Sequence, residues 1–342
     1  MLWRCCCAPV PTDQADDKLE SVKPGANNAA TKSDNDNDDN DQEVKCKDQQ
    51  DPELWKPHPP SEECPVCLVP LPLASSSKRH VMYFSCCGKR LCCACVEEHQ
   101  RALNITNAKR DKKKLPPIEF TCAFCRTPEP KDDKESTDLL EKRKEIDDAW
   151  AVYHLALGYK EGYRGQSKDG RKALELYHRA ADLGCEQAIS QLGLAYLRGN
   201  LGNYDVAIDK KKGQGFLEDA AKKGNIDARH NLGTFEYERD NHDDALRHWK
   251  LAAEAGDEDA VKCLWMYFSK GKLSKADLEN TLRVHKDAID EMNSEFRARL
   301  IAMKKAEVDG DEILAEIYHS YYDGEIKAKE LTKMLKAYNN TK

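Results

Sequence analysis

Small and apolar residues recur along the second half of the chain with a long period. The segment LGLAY at 192–196 is echoed forty residues later by LGTFE at 232–236. A pair of alanines followed by a glycine occurs at 180–184, 220–224 and 252–256. Periods of roughly 30–45 residues are typical of stacked helix pairs, which bury their apolar faces against neighbouring pairs. The pattern predicts a mainly α protein built around a helical-repeat solenoid.

Glycines end the second helix of each predicted unit. Gly184, Gly224 and Gly256 follow the alanine pairs, and the left-handed position past a helix end favours glycine. Trp249 and the tyrosines at helical spacing are expected in the core between helices. The region contains no cluster of carboxylates, His or Ser suited to catalysis. We therefore predict a protein-binding surface and no catalytic residue.

The repeated segments resemble Sel-one-like repeats, a subclass of tetratricopeptide-like solenoids. Their pattern A-x-x-x-L-G-x-x-Y…A-x-x-x-[WY]-x-x-A-A-x-x-G is visible in 188–224 and 228–256, with a further copy before them and a degraded one after. In 188–224, Gly213 and Leu217 replace the central Ala and aromatic residue. The resemblance implies a curved scaffold for protein binding. The helical segment 293–342 is predicted to cap the stack.

Paired cysteines before the repeats carry the strongest chemical signal. Three CxxC pairs and one adjacent pair place eight of the fifteen cysteines in a short interval: Cys64, Cys67, Cys86, Cys87, Cys92, Cys95, Cys122 and Cys125. A CxxC turn presents two thiolates to one metal, and a structural Zn²⁺ takes four such ligands. Four thiolates can also hold an iron–sulfur cluster, but the paired spacing favours zinc. We therefore predict two structural Zn²⁺ ions.

The letters CGKRLCCAC that follow Cys86 resemble the C-G-H-x-[IFL]-C-x-x-C stretch of RING fingers. The resemblance implies that cysteine pairs one and three share one ion, and pairs two and four the other. Lys89 stands where that pattern has His, so Cys86 is expected to supply the ligand, as in all-cysteine RINGs. His80 and His99 are alternatives to Cys86. Cys93 is expected to point away from both ions.

RING fingers act as ubiquitin ligases by holding a ubiquitin-conjugating enzyme that carries ubiquitin as a thioester. The resemblance implies that Val66 and Leu68, at the first CxxC loop, contact that enzyme through apolar side chains. It also implies that Arg126 bridges ubiquitin and the conjugating enzyme, a task suited to a planar guanidinium. Active RINGs usually carry proline after the seventh ligand, where this chain has Ala123. The alternative is a non-catalytic protein-binding scaffold with structural zinc.

The charge and the apolar content of the chain indicate a disordered tail and argue against nucleic-acid binding and a membrane-spanning helix. Residues 11–55 hold 13 Asp or Glu against 5 Lys, a net charge of −8 (5 − 13), with few apolar residues, so a disordered tail is predicted. The whole chain carries −7, which argues against nucleic-acid binding, and the basic stretch 109–114 is expected to be a solvated loop. No apolar run approaches the roughly 20 residues of a membrane helix. S-acylation of Cys5–Cys7 is an alternative anchor, although Leu2 replaces the glycine that N-myristoylation requires.

Together these patterns divide the chain into five predicted segments. They are a disordered acidic tail at 1–60, a RING-like zinc finger at 61–128, a charged linker at 129–147, Sel-one-like helical repeats at 148–292 and a C-terminal helical cap at 293–342. The order resembles that of RING-plus-repeat proteins of diatoms and related algae. We expect a zinc-binding ubiquitin ligase, intracellular in the cytoplasm or nucleus, whose repeats hold a protein substrate or adaptor.

Overall fold

A computed structural model of the chain describes residues 51–59, 62–71, 81–292, 298–299, 302–303, 306, 311–322 and 328–339. Most of these residues are helical, which confirms the prediction of a mainly α protein. None of the helices among them is long and apolar enough to cross a membrane. Residues 1–50, with Cys5–Cys7, and the candidate ligand His80 lie outside the described residues.

A short hairpin and one long helix form the body of the finger. The hairpin is antiparallel, with Val81 opposite Cys92 and Phe84 opposite Lys89. The first described elements are the 3-10 helix Pro52–Trp55, strand β1 Val81–Phe84, strand β2 Lys89–Cys92 and helix α1 Cys93–Asp111. Because α1 continues to Asp111, the basic stretch predicted as a loop begins inside this helix.

Helices of uniform length follow the finger. From α2 to α8 every helix has 13 residues, as expected for stacked repeats. The remaining elements are α2 Asp133–Glu145, α3 Ala149–Glu161, α4 Gly170–Asp182, α5 Glu186–Arg198, β3 Asn200–Leu201, β4 Tyr204–Asp205, α6 Lys210–Lys222, α7 Ile226–Glu238, α8 His242–Glu254, α9 Glu258–Ser269, α10 Lys275–Glu291, α11 Glu312–Tyr322 and α12 Ala328–Asn339.

Polar caps begin the repeat helices and glycines end them. The side chains of Asp169 and Asp209 each accept a hydrogen bond from a backbone N–H in the first turn of α4 and α6. Such a cap contributes about 1 kcal/mol to helix stability. Gly184, Gly224 and Gly256 have φ of 91°, 91° and 103°, which confirms the predicted left-handed positions.

Helices α5 and α6 approach each other closely, and this explains the departure of the second repeat from the pattern. A Cβ on Gly213 would lie 2.9 Å from the carbonyl oxygen of Gly193. A Cβ on Gly193 would lie 2.7 Å from the Leu217 side chain. In the third unit a Cβ on Gly233 would similarly lie 2.6 Å from the Trp249 ring, which is buried as predicted. The glycines therefore make room for the large residue of the facing helix.

The predicted linker and the last helices pack differently from the expectation. The linker contains α2, whose Leu140 is buried against Ala151 and Leu155 of α3. Helices α11 and α12 bury Ile317 and Leu331 in the hydrophobic cluster of the finger, whereas the sequence predicts that they cap the repeats. An apolar face predicts that a helix is buried, but it does not identify the element that the helix packs against. From the sequence alone, the adjacent repeats are therefore the expected partner of α11 and α12.

The segment before the finger also packs against the repeats. The predicted disordered tail extends to residue 60, yet Leu54 is only 6% exposed and lies in a hydrophobic cluster with residues of α5, α6 and α7. Leu54 and Trp55 form a single apolar pair in a charged segment. One pair shows no periodicity, so the sequence does not predict that this segment packs on the helices.

Candidate metal centres and finger surface

The first group of four cysteines joins three separate elements. Cys64 and Cys67 come from a turn before the hairpin, Cys92 ends β2, and Cys95 lies in the first turn of α1. Their Sγ atoms all lie within 4.8 Å of one another. The Cys64–Cys95 and Cys67–Cys92 Sγ distances are both 3.9 Å. Chain segments separated by about thirty residues therefore meet at one point, which we call tetrad one.

The second group, tetrad two, joins the hairpin turn to the last CxxC. Cys86 and Cys87 lie in the turn between β1 and β2, and Cys122 and Cys125 lie in a turn after α1. The Cys87–Cys122 Sγ distance is 3.9 Å and the Cys86–Cys125 distance is 3.4 Å. Cys86, the least certain ligand by sequence, is therefore placed with the other three thiols.

Both tetrads have the chemistry and dimensions of a four-thiolate metal site. Four sulfurs at about 2.3 Å from a tetrahedral Zn²⁺ lie about 3.8 Å from each other. The four Sγ distances above are close to that value and far from the roughly 2.05 Å of a disulfide. The cysteines of the described residues are free thiols. Each tetrad could hold a metal ion.

The thiols in each tetrad perturb one another. Hydrogen bonds with Cys92 and Cys95 lower the pKa of Cys64, and hydrogen bonds with Cys64 and Cys92 raise that of Cys95. In tetrad two, burial raises the pKa of Cys87 to about 11. Thiolates this close together repel each other, so full ionisation requires a cation among them. A bound divalent ion would supply that charge.

The alternative ligands lie elsewhere. Cys93 is buried in the core of the finger, outside both tetrads. Lys89 is exposed on β2. His99 is not part of tetrad two. Its Nε2 atom lies 3.1 Å from the Thr121 hydroxyl. Within the described residues, no histidine joins either group of four thiols.

The first and last of the three CxxC pairs form turns with the same backbone geometry, and each turn presents an apolar side chain. In the first, Leu68 N–H donates to the carbonyl of Cys64, and in the last, Arg126 N–H donates to that of Cys122. Leu68 and Arg126 have left-handed φ of 56° and 64°. Val66 thus corresponds to Phe124, and they are 42% and 43% exposed. Sequence reasoning overlooked Phe124, although an apolar residue before the second cysteine is common to both pairs.

The predicted contact residues are accessible to solvent, and one of them, Arg126, already makes a hydrogen bond within the finger. Leu68 is 71% exposed, the highest value among the large apolar residues of the described chain. Arg126 is exposed, and its Nη1 donates to Nδ1 of His99 at 2.9 Å. Burial, followed by the charge of Arg126, lowers the pKa of His99, which keeps this imidazole in the neutral form that accepts the bond.

Polar contacts join the finger to the first repeat helices. The Tyr83 hydroxyl on β1 donates to the Asp148 carboxylate at 2.8 Å, and Arg143 of α2 donates to the same oxygen at 2.8 Å. The Arg90 guanidinium lies 4.0 Å from the ring centroid of Trp150. Because Asp148 also caps α3, one carboxylate links the hairpin, α2 and the first repeat helix.

Comparison with solved structures finds, among others, repeat proteins. The chain is 25% identical to a Sel1 repeat protein from Oxalobacter formigenes, over 56% of this chain and 73% of that one, with a TM-score of 0.40. It is 19% identical to a protective antigen of uropathogenic Escherichia coli with an SLR fold, over 60% of this chain and 48% of that one, with a TM-score of 0.37. No protein-family model and no curated protein matches the chain. With TM-scores this low, the assignment of repeats rests on the chain's own helix pairs.

Proposed function

We propose that the chain is a zinc-binding RING-type ubiquitin ligase. Its finger holds one Zn²⁺ in each tetrad and recruits a ubiquitin-conjugating enzyme, and its repeats hold a protein substrate or adaptor. The observation that carries the proposal is the pair of matching CxxC turns. Each turn combines thiols of a closed tetrad with an exposed apolar side chain, Val66 in one and Phe124 in the other.

Zinc in these sites is structural. Four thiolates complete the tetrahedral coordination of the ion and leave no open position for water or substrate. Because each tetrad joins distant segments, metal binding and folding of the finger are coupled. The ions therefore fix the positions of the side chains on the two turns, and those side chains make the contacts with other proteins.

Exposed apolar side chains on a small finger suit transient protein binding. Val66, Leu68 and Phe124 offer apolar area, and Arg126 offers up to five N–H donors beside it. A surface of this kind fits recruitment of a conjugating enzyme, with Arg126 donating to ubiquitin or to the enzyme. To do so, the guanidinium must exchange its contact with His99 for one with the bound protein.

The test is ubiquitin discharge by the full chain with activating enzyme and a panel of conjugating enzymes. We expect zinc-dependent discharge with at least one enzyme, and a loss of about tenfold in Val66→Ala and in Arg126→Ala, since a contact of this size contributes about 1.4 kcal/mol. Ile118→Ala is the matched control, because Ile118 is a similarly exposed apolar residue, 40% exposed, outside the two turns.

The alternative function is a non-catalytic scaffold in which zinc only stabilises the finger. Two observations favour it. Ala123 occupies the position where active RING fingers usually have proline, and Arg126 is already bonded to His99. If discharge is absent with every enzyme in the panel while both zinc ions are bound, the ligase proposal is wrong and the scaffold remains.

A further inference from the structure

A short segment of the chain lies on the repeats as a peptide ligand would. We call residues 52–59 the strap. Leu54 is buried at the junction of α5, α6 and α7, whereas its neighbours Glu53 and Lys56 are exposed. Glu53 and Lys56 therefore keep their side chains in solvent, and the strap is attached through a few specific contacts, those of Leu54 and Trp55 among them.

Arg229 of α7 binds the backbone of the strap. This guanidinium is only 2% exposed, and burial lowers its pKa. Within the described residues it donates to three backbone carbonyl oxygens, at 2.7 Å to Leu54, 3.5 Å to Lys56 and 3.2 Å to Ala221. A buried cation requires such acceptors. Two of the three belong to the strap, so the repeats recognise its main chain independently of side-chain identity.

Trp55 and the end of the strap make the remaining contacts. The Trp55 ring lies 4.5 Å from the His248 ring, and the Arg247 guanidinium lies 3.6 Å from its centroid. His58 Nε2 lies 2.6 Å from the carbonyl oxygen of Gly224. A Cβ on Gly224 would lie 2.7 Å from Pro59, so the glycine that ends α6 also allows the strap to lie close to the helix end.

The strap satisfies this site incompletely. In the part of the chain that the structure describes, Trp55 Nε1 and His248 Nδ1 are buried without a hydrogen-bond partner. Each such atom costs about 1–3 kcal/mol. The tether offsets this cost, because it gives the strap an effective concentration of the order of millimolar. An untethered segment that makes the same contacts and satisfies these atoms could therefore replace the strap.

We propose that the strap occupies a peptide-recognition site of the repeats, and that the site takes a partner-protein segment in which an aliphatic residue precedes tryptophan. Arg229 binds the main chain of that segment, the pocket of Leu54 takes the aliphatic side chain, and His248 with Arg247 takes the indole. The inference rests on the proposed protein-binding role of the repeats and identifies the surface and the partner chemistry. The tethered strap lowers the affinity of the site for the partner.

The probe is a fluorescently labelled peptide with the sequence of residues 51–59, DPELWKPHP, titrated against the full chain. In the test variant, Leu54→Ala and Trp55→Ala weaken the tethered strap. In the matched control, Glu53→Ala and Lys56→Ala change exposed strap residues. We expect the peptide to bind the test variant at least about tenfold more tightly than the wild type or the control, as removal of a tethered competitor requires. A peptide with both Leu and Trp replaced by Ala should not bind.

A measurement on the wild-type chain covers the case in which the test variant does not fold. Saturating unlabelled peptide should displace the strap and accelerate hydrogen exchange of the amides at 54–56. Unchanged exchange, or equal peptide affinity for all three proteins, would overturn the proposal. So would a wild-type dimer formed by exchange of straps between copies. Ubiquitin discharge does not require this site, so its success with failed peptide binding would leave the proposed ligase intact.

Discussion

Different interactions stabilise the finger and the repeats. In the repeats, Ala and Gly on one helix admit large residues of the next, as where Gly233 faces Trp249. In the finger, two tetrads of thiols lie where a larger domain would have its core, and α11 and α12 contribute Ile317 and Leu331 to its hydrophobic cluster. We therefore expect the repeats to fold by packing, and the finger to need a metal ion and a distant part of the chain as well.

This difference determines how far the effect of a mutation spreads in each region. Mutations in a packed solenoid alter a local interface between neighbouring helices, because each unit contacts mainly its neighbours. Loss of one thiol from a tetrad removes a group that joins distant segments, so we expect the whole finger to be affected.

Removal of metal should have the largest effect, and this effect should be confined to the finger and the two helices that pack on it. Structural zinc contributes about 10–16 kcal/mol in small zinc-finger peptides. A strong chelator should therefore abolish hydrogen-exchange protection in α1 and in the hairpin, and also in α11 and α12, which share their cluster. Helices α4 to α9 should keep their protection. Protection of the hairpin that persists after complete metal loss would show that packing alone holds the finger.

A single methyl group should show how closely the repeat helices pack. Gly213→Ala places a Cβ 2.8 Å from the Leu197 side chain and 2.9 Å from the carbonyl oxygen of Gly193, so we expect a loss of about 1–3 kcal/mol. Gly215→Ala in the same helix meets nothing within 4 Å and should stabilise the protein by up to about 1 kcal/mol. Urea unfolding measures both. Equal effects at the two positions would contradict close contact between α5 and α6.

Acid should destabilise the repeats through His248. Burial, and then the charges of Arg229 and Arg247, lower its pKa in the folded chain from 6.5 to about 3. Between these two values the unfolded chain binds a proton that the folded chain refuses, so the stability contribution is present above pH 6.5 and is lost as pH falls. The loss at pH 5 is about 2 kcal/mol. His248→Gln should show a shallower pH dependence of unfolding between pH 7 and 5. An unchanged slope would mean that His248 has the same pKa in the folded and the unfolded chain.

The contact between the two regions should contribute least. Tyr83→Phe removes the hydroxyl that donates to Asp148 and leaves the ring stacked on His154, so we expect a loss of about 1 kcal/mol. Tyr204→Phe is the matched control, because the Arg171 guanidinium lies over its ring and does not depend on the hydroxyl. Thermal unfolding of both variants tests the link. Identical melting temperatures would show that the Tyr83 bond adds nothing.

Part of this architecture is legible in the sequence because its signals are local or periodic. A CxxC turn and a recurring Ala-Ala…Gly motif each follow from backbone geometry, so the repeats and the candidate thiols could be predicted. The equivalence of Val66 and Phe124 was also readable from the two CxxC pairs. Gly213 and Leu217 depart from the repeat pattern in the sequence. In the structure both lie against Gly193 of the facing helix: Gly213 leaves room for its carbonyl oxygen, and the absence of a side chain on Gly193 leaves room for Leu217.

Other features depend on long-range partners that no local pattern encodes. Helices α11 and α12 have apolar faces, but these faces do not reveal that Ile317 and Leu331 pack on the finger instead of the repeats. The two residues that anchor the strap, Leu54 and Trp55, lie in a charged segment without periodicity. Its binding depends on Arg229, whose burial is visible only once the helices are stacked.

Native mass spectrometry of the full chain tests the central claim most directly. We expect a mass increase that corresponds to two Zn²⁺ ions, retained in Cys93→Ser and reduced in Cys86→Ala, because Cys93 lies outside both tetrads and Cys86 within tetrad two. A chain that binds no zinc, binds a single ion, or keeps two full ions in Cys86→Ala would contradict the assignment of these eight thiols to two structural zinc sites.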